Sequence, residues 1–216
     1  DMNYRKNGLD VSAMLYGGSL RNGNDQIFTV DTYLDKQWQQ YMDMTDQKSK
    51  VQQMEAVLSA NYQFDENHMM GVRYEFERTP KASWYINRFA QTYCDDLLYE
   101  DLHSYISDNE PETSHKSNFY YNGKIKAWSI DFNADGLWTE TRNRQTANED
   151  VIGSVEDSAA RGVTTLDTKR NELYAAKLVV SHPFAKGELS VGAEYSHNKR
   201  NTTIFNEEGI IDNDEA

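Results

Sequence analysis

The sequence predicts an all-β chain: an antiparallel up-and-down meander that forms part of a transmembrane β-barrel, with short turns on one side and long loops on the other. Three observations predict it. Apolar and polar residues alternate in runs of about ten, the length of a tilted membrane-crossing strand (~9–11 residues). The runs come in pairs around tight turns. The connections then alternate between such turns and long polar stretches, and loops beyond ~12–15 residues are uncommon in compact soluble domains.

The clearest pair runs from Thr168 to Arg200. Going in, Tyr174, Ala176, Leu178, Val180 and Phe184 share one side, with Lys177, Ser181 and Pro183 on the other. Coming out, Leu189, Val191, Ala193 and Tyr195 oppose Glu188, Ser190, Gly192, Glu194 and Ser196. Side chains on a strand point alternately to opposite faces, so each strand has one apolar and one wet side.

Earlier in the chain, Asn7-Gly8 is a strong hairpin signal. It joins a stub near Met2–Tyr4 to Leu9, Val11, Ala13 and Leu15, which alternate with Asp10, Ser12 and Met14. Gly17-Gly18 and then Arg21 to Asp25 break the pattern into a loop, and Gln26 to Leu34 resumes it, with Phe28, Val30 and Leu34 facing away from Asp31. The stretch from Asp35 to Lys50 is polar, with Trp38, Tyr41, Met42 and Met44 embedded, and its pattern fixes no element. A second clear hairpin follows: Met54, Ala56, Leu58, Ala60, Tyr62 and Phe64, a turn at Asp65–His68, then Met70, Val72, Tyr74 and Phe76. Thr79 to Thr113 reads as a long excursion, and Ile86, Phe89, Ala90, Tyr93 and Leu97 fall at the spacing of a short helix. Strands return at Ser117–Ile125 and, past a turn at Gly123–Lys126, at Trp128, Ile130, Phe132, Ala134 and Trp138. Arg142 to Thr165 is a second long polar loop, and Asn201 onward begins a third. The turns, with Ala185–Gly187 as the fourth, are expected inside the envelope and the long loops outside.

Composition narrows the partners. A net charge of −13 excludes nucleic acid, since phosphate binding needs a basic surface. The single Cys94 excludes an internal disulfide framework and a thiol-rich metal site. A mean hydropathy of −0.83 leaves no spanning helix, but a barrel strand is only half apolar and escapes such averages. Fourteen tyrosines and four tryptophans are plentiful for so polar a chain. Of these aromatics, Tyr62, Trp128, Trp138 and Tyr174, together with Phe76, are expected in interfacial girdles against outer-membrane lipid. Asp1 is not an initiator and Asp212–Ala216 is a polar stop without a strand, so both ends are expected to be cuts through a longer protein. The expectation is that residues 1–216 are one segment of a single barrel domain, of seven or eight strands and without a plug.

The stretches Tyr62-Gln-Phe-Asp-Glu-Asn-His-Met-Met-Gly-Val-Arg-Tyr74 and Leu178-Val-Val-Ser-His-Pro-Phe-Ala-Lys-Gly-Glu-Leu-Ser-Val-Gly-Ala-Glu-Tyr195 resemble strand–turn–strand units of the outer-membrane β-barrels allied to TonB-dependent receptors. The resemblance covers most of the chain and lies in periodicity and turn placement, with no catalytic motif. It implies a barrel of about 22 strands closed by a plug, in the outer membrane of a Gram-negative cell. It also implies import of a bound nutrient or chelate, driven by an inner-membrane energy-coupling complex. The sequence lacks a plug, an energy-coupling box and a terminal aromatic strand, so uptake is implied for a longer parent.

Asp131, Asn133, Asp135 and Gly136 match the start of a calcium loop, but Arg142 stands where its last carboxylate belongs, and Phe132 and Ala134 fit a strand. His68, His103, His115, His182 and His197 form no pair at metal-ligand spacing. No phosphate loop or nucleophile motif appears. No enzyme activity, metal or cofactor is expected. The best candidates for contact with a small-molecule or glycan ligand are Trp84, Tyr85, Arg88, Phe89, Tyr93 and Tyr99, aromatic faces beside Asp95, Asp96 and Glu100 on an external loop. The competing reading is that the loop packs on itself. For the whole chain, the alternatives are a soluble β-sandwich or lipocalin-like binding domain and a surface adhesion module.

Overall fold

Nine strands and no helix make up the described residues of the computed structural model, which are 1–33, 36–154 and 160–207. In chain order they are β1 (Met2–Lys6), β2 (Leu9–Tyr33), β3 (Gln37–Asp65), β4 (His68–Cys94), β5 (Leu97–Asn109), β6 (Glu112–Ile125), β7 (Trp128–Ser154), β8 (Arg161–Phe184) and β9 (Gly187–Asn206). All pair antiparallel in one sheet, ordered β1-β2-β3-β4-β5-β7-β8-β9, with β6 between β4 and β7. The fold is therefore all-β and up-and-down, as the alternation predicts. Among the described residues β1 and β9 are not paired with each other, so the sheet has two open edges.

β5 and β6 occupy one position in the sheet. β5 pairs with the far half of β4, Ser83–Cys94, and β6 with its near half, His68–Thr79, while β7 runs unbroken past both. The break falls at Glu110-Pro111, because proline has no N–H to give the ladder. The neighbours still hold it: Arg142 N–H donates to the Pro111 carbonyl (3.1 Å) and Glu110 N–H to that of Ala82 (2.9 Å).

Two-residue turns at Asn7-Gly8, Glu66-Asn67, Lys126-Ala127 and Ala185-Lys186 close one end of the sheet, the third lying just past the expected Gly123–Lys126 because Gly123 to Ile125 pair within β6. Asn7 and Gly8 have φ of 49° and 80°, the mirror-image turn whose twist matches that of its strands. A side chain at residue 8 would also run into the Gln63 carbonyl oxygen, so glycine is required on two counts.

The expected long loops are strands. Thr79–Thr113 is a continuation of β4 to Cys94, a turn at Asp95-Asp96 (φ 49° and 65°) and a return along β5; no helix forms there. Trp84, Tyr85, Ile86 and Phe89 favour an extended backbone, and β3 on one side and β5 on the other saturate the β4 ladder. Of Arg142–Thr165, the parts to Ser154 and from Arg161 belong to β7 and β8, and 155–159 lie outside the described residues. The polar stretch 35–50 is likewise mostly β3, β2 runs unbroken through the loop expected at 17–25 and β9 continues through 201–206, while residues 34 and 35 and 208–216 lie outside the described residues. β3, at 29 residues, is about 95 Å long at ~3.3 Å per residue, several times a bilayer's hydrocarbon width. The asymmetry of the two ends is one of ladder length.

In the half near the tight turns, register places the apolar residues in continuous rows. One row reads Val11, Ala60, Val72, Phe119, Ala134, Ala176 and Tyr195; the next reads Leu9, Tyr62, Met70, Tyr121, Phe132, Leu178 and Ala193. On β7 the belt runs from Trp128 to Trp138, about 11 residues, or ~25 Å of height at a ~45° tilt. Beyond it the same face carries Arg78, Glu140 and Arg170. The five girdle residues, Tyr62, Phe76, Trp128, Trp138 and Tyr174, all lie on this face. The opposite face of the near half carries Asp10, Ser59, Arg73, Glu75, Lys116, Asn118, Asn133, Asp135 and Lys177.

The belt is the outer surface of the sheet: Leu15 is 79% exposed and Val191 67%. The buried hydrophobic residues among those described, Val57, Ala82, Ala90 and Leu102, all lie on the other, hollow face. A single sheet with so small a core is not the two-sheet sandwich considered as an alternative. In the far half the polarity of the faces is mixed. Between Arg78 and Lys81 β4 takes three steps while β3 takes two, so the hollow face passes from odd to even residues of β4. Trp84, Ile86, Leu102 and Ile106 thus join Leu20, Phe28 and Val30 on the hollow side.

Candidate functional site

The six residues singled out on β4 and β5 do not form one patch. The bulge and the strand alternation put Trp84 and Arg88 on the hollow face, and Tyr85, Phe89 and Tyr93 on the outer one. Tyr99 sits at the bulge opposite Thr92-Tyr93 and meets Trp38 edge to face at 5.1 Å. A helix would have gathered them; a strand separates them.

The outer group packs on its neighbours. Phe89 stacks on His103 at 4.0 Å with ring planes 9° apart, and His103 leans on Tyr105 at 4.2 Å. The His103 Nε2 lies 2.6 Å from Asn87 Oδ1. Tyr93 donates to Gln91 (3.1 Å), which donates in turn to Asp101 (3.1 Å). For these residues the self-packing reading describes the contacts.

Arg88 ties strands together. Its Nη2 donates to Glu149 Oε1 (2.7 Å) on β7 and to Ser104 Oγ (3.0 Å) on β5, and Ser104 is fully buried. The other Glu149 oxygen accepts from Arg161 Nε on β8 (2.6 Å). Burial would push the Glu149 carboxyl up, but the Arg161 guanidinium, the Ser104 hydroxyl and the Arg88 charge outweigh it and hold it below the usual range. The whole assembly is a cross-strand ion pair spanning β4, β5, β7 and β8.

Trp84 stands differently. Register sets Asn22, Ser49, Trp84, Asp108 and Gln145 side by side across β2, β3, β4, β5 and β7 on the hollow face. They line a cavity of about 350 Å³ with Asn24, Gln47, Ile86 and Ile106. Trp84 also walls a second cavity of about 400 Å³, which Tyr16, Gln53, Glu55, Glu77, Glu110 and Glu112 line. Among the described residues, the buried polar atoms of this face without a hydrogen-bond partner are Arg88 Nε, Ser114 Oγ, Asp108 Oδ1, Asn143 Oδ1 and Asp167 Oδ1, and of these residues only Asp108 lines either cavity. Asn143 and Asp167 are direct cross-strand partners, one row from Gln145 and Thr165. Burial pushes the Asp108 carboxyl above its ordinary value. A hydrophobic wall with a few convergent polar groups is the general form of a small-ligand site.

Two other clusters have partners within the chain. Among the described residues, the carboxylates of Glu55, Glu75 and Glu77 come within 4.8 Å of one another. Lys116 Nζ binds two of them, Glu75 at 2.8 Å and Glu77 at 2.9 Å, so they hold an ammonium of the chain itself. Asp131, Asn133 and Asp135 are spread along β7 in the sheet ladder, with Asn118 donating to Asn133 (2.9 Å) and Asp135 (2.7 Å). The calcium-like spacing is therefore that of a strand. His68, His115 and His182 lie on the outer face beside Tyr121, Tyr74 and Trp128.

Reading the sequence found Trp84 but missed Asn22, Ser49, Asp108 and Gln145. Only register unites these, and no local motif marks it. No family model and no curated protein matches the chain. Among solved structures it is similar to the ferric preacinetobactin receptor BauA from Acinetobacter baumannii, with 9% identity and a TM-score of 0.41 over 99% of this chain and 37% of that one. The chain thus spans little more than a third of that receptor's length.

Proposed function

We propose that the chain is a section of an outer-membrane barrel of the kind allied to TonB-dependent receptors, whose parent takes up a bound nutrient or chelate by energy-coupled import. The observation that carries this is the apolar belt. It is continuous from β2 to β9, about the height of a hydrocarbon layer, and lies on the exposed side of a sheet that has no second layer among the described residues. Soluble monomers rarely expose an apolar patch beyond a few hundred Å²; lipid would cover this one. The opposite face, with its ion pairs and cavities, would line an aqueous lumen. In this reading the partners are membrane lipid, a small-molecule or glycan ligand on the hollow face and, through the parent, an inner-membrane coupling complex. The role is reception and transport, with no catalytic step.

The four tryptophans make the reading testable, because Trp128 and Trp138 lie on the belt and Trp38 and Trp84 do not. Single-tryptophan variants are reconstituted into vesicles with brominated acyl chains. Bromine should quench Trp128 and Trp138 and spare Trp84. Equal quenching of Trp84 and Trp128, or none of either, would refute the lipid-facing belt.

A further inference from the structure

We propose that the hollow face around Trp84 binds an amine-bearing polyhydroxylated ligand, an oligomer of amino sugars, with one pyranose ring stacked on the indole. This rests on the reading of that face as the ligand-facing side of a receptor. It deepens that reading by giving the chemical class.

Three features converge. First, Trp84 is 38% exposed and walls both cavities, so its ring offers an apolar surface between spaces of about 400 and 350 Å³. The C–H faces of a pyranose suit an indole, whose π-face is electron-rich. Second, the wall of the cavity offers an acceptor that the chain does not satisfy. Asp108 Oδ1, on a residue that lines the cavity, is buried without a hydrogen-bond partner, a condition few native groups tolerate unless something else satisfies them. A ligand that brings many O–H and N–H groups would do so. The amides of Asn22 and Gln145, each both donor and acceptor, suit hydroxyls, which are also both. Third, the cavity on the other side of Trp84 carries four carboxylates, of Glu55, Glu77, Glu110 and Glu112, and Arg78 is the one cation among its described lining residues. Lys116 already neutralises part of Glu77. A protonated amine fits the remainder, and an acidic sugar would be repelled.

The test is isothermal titration of the full chain, folded in detergent micelles, with a glucosamine tetramer at low ionic strength. Circular dichroism of each variant controls for folding. The glucosamine tetramer should bind. Trp84→Ala should weaken it at least ten-fold, Trp84→Phe much less, and Asp108→Asn several-fold. A glucose tetramer should bind at least ten-fold more weakly, and spermidine, which has the amines without the ring, should show no dependence on Trp84. The proposal is overturned if the folded chain does not bind the glucosamine tetramer, if Trp84→Ala or Asp108→Asn leaves its affinity unchanged, or if spermidine matches it. A glucose tetramer binding as tightly would overturn the amine. Failure of the membrane reading would appear separately, in the bromine quenching of Trp128, which does not involve this face.

Discussion

Replacing Glu149 by Gln removes the charge that joins β4, β5, β7 and β8 in the far half of the sheet. Arg88 (side chain 27% exposed) then keeps a partly buried guanidinium without its carboxylate, and its Nε already lacks a partner. Arg161 is 54% exposed, so water replaces most of what it loses. The cost is therefore mainly that of the Arg88 contact, about 1.5–3 kcal/mol for a hydrogen bond to a charged group. That is a factor of roughly 10–150 in the local opening equilibrium. Hydrogen exchange followed by mass spectrometry should show faster exchange across residues 86–90, 102–106 and 147–151, with little change in the near half, residues 54–76. The same opening should appear in the unsubstituted protein at acid pH. The folded-state carboxyl of Glu149 titrates below its unfolded value near 4.5, so its contribution is complete above that pH and is lost as pH falls through the lower, folded value. Glu149→Gln should abolish this part of the acid sensitivity. Unchanged exchange at pH 7, or an acid response equal in both proteins, would refute the assignment of Glu149 as the tie.

Gly8→Ala should destabilise the first hairpin by about 1 kcal/mol or more, since it adds left-handed strain to a clash with the Gln63 carbonyl; a lower midpoint in urea checks it. Burial raises Asp108, so its folded-state proton affinity exceeds the unfolded one, and its contribution to stability falls as pH rises through the folded value. Asp108→Asn should accordingly raise the thermal midpoint at pH 7 and flatten its pH dependence, as read by calorimetry in detergent. If the far ends of the hairpins face outward, a protease added to intact cells bearing the full-length parent should cut at the Asp95-Asp96 tip. Cleavage at Glu66-Asn67 instead would invert the orientation.

The near half of the fold was legible because its apolar residues keep one parity on every strand. Leu9 to Leu15, Met70 to Phe76 and Tyr174 to Val180 each read as strands, and their shared face follows from the four tight turns. The far half was not, for a physical reason. The bulge at Arg78–Lys81 changes which residues of β4 face the hollow side, so Trp84, Ile86 and Ala90 continue on even positions what Arg73, Glu75 and Glu77 begin on odd ones. Apolar residues then occupy both parities, and Ile86, Phe89, Ala90, Tyr93 and Leu97 fit a helical period by coincidence. Pattern along one strand cannot resolve this, because the β3 and β5 partners set the conformation. The candidate site suffers more. Trp84 stands out as an aromatic, but Asn22, Ser49, Asp108 and Gln145 are ordinary polar residues until four registers bring them into one row.

The central claim is that one face of the near half meets lipid and the other meets water, and Val179 and Val180 test it with one substitution. They are adjacent on β8: Val180 lies between Ile130 and Val191 on the belt, and Val179 between Asp131 and Gly192 on the hollow face. Arginine on the lipid face near mid-bilayer costs roughly 2–4 kcal/mol, whereas beside Asp131 it finds a counter-charge. Assembly into outer membranes, measured as the membrane-inserted fraction of the full-length parent, should be lost with Val180→Arg and kept with Val179→Arg. Equal assembly of the two variants would contradict the account.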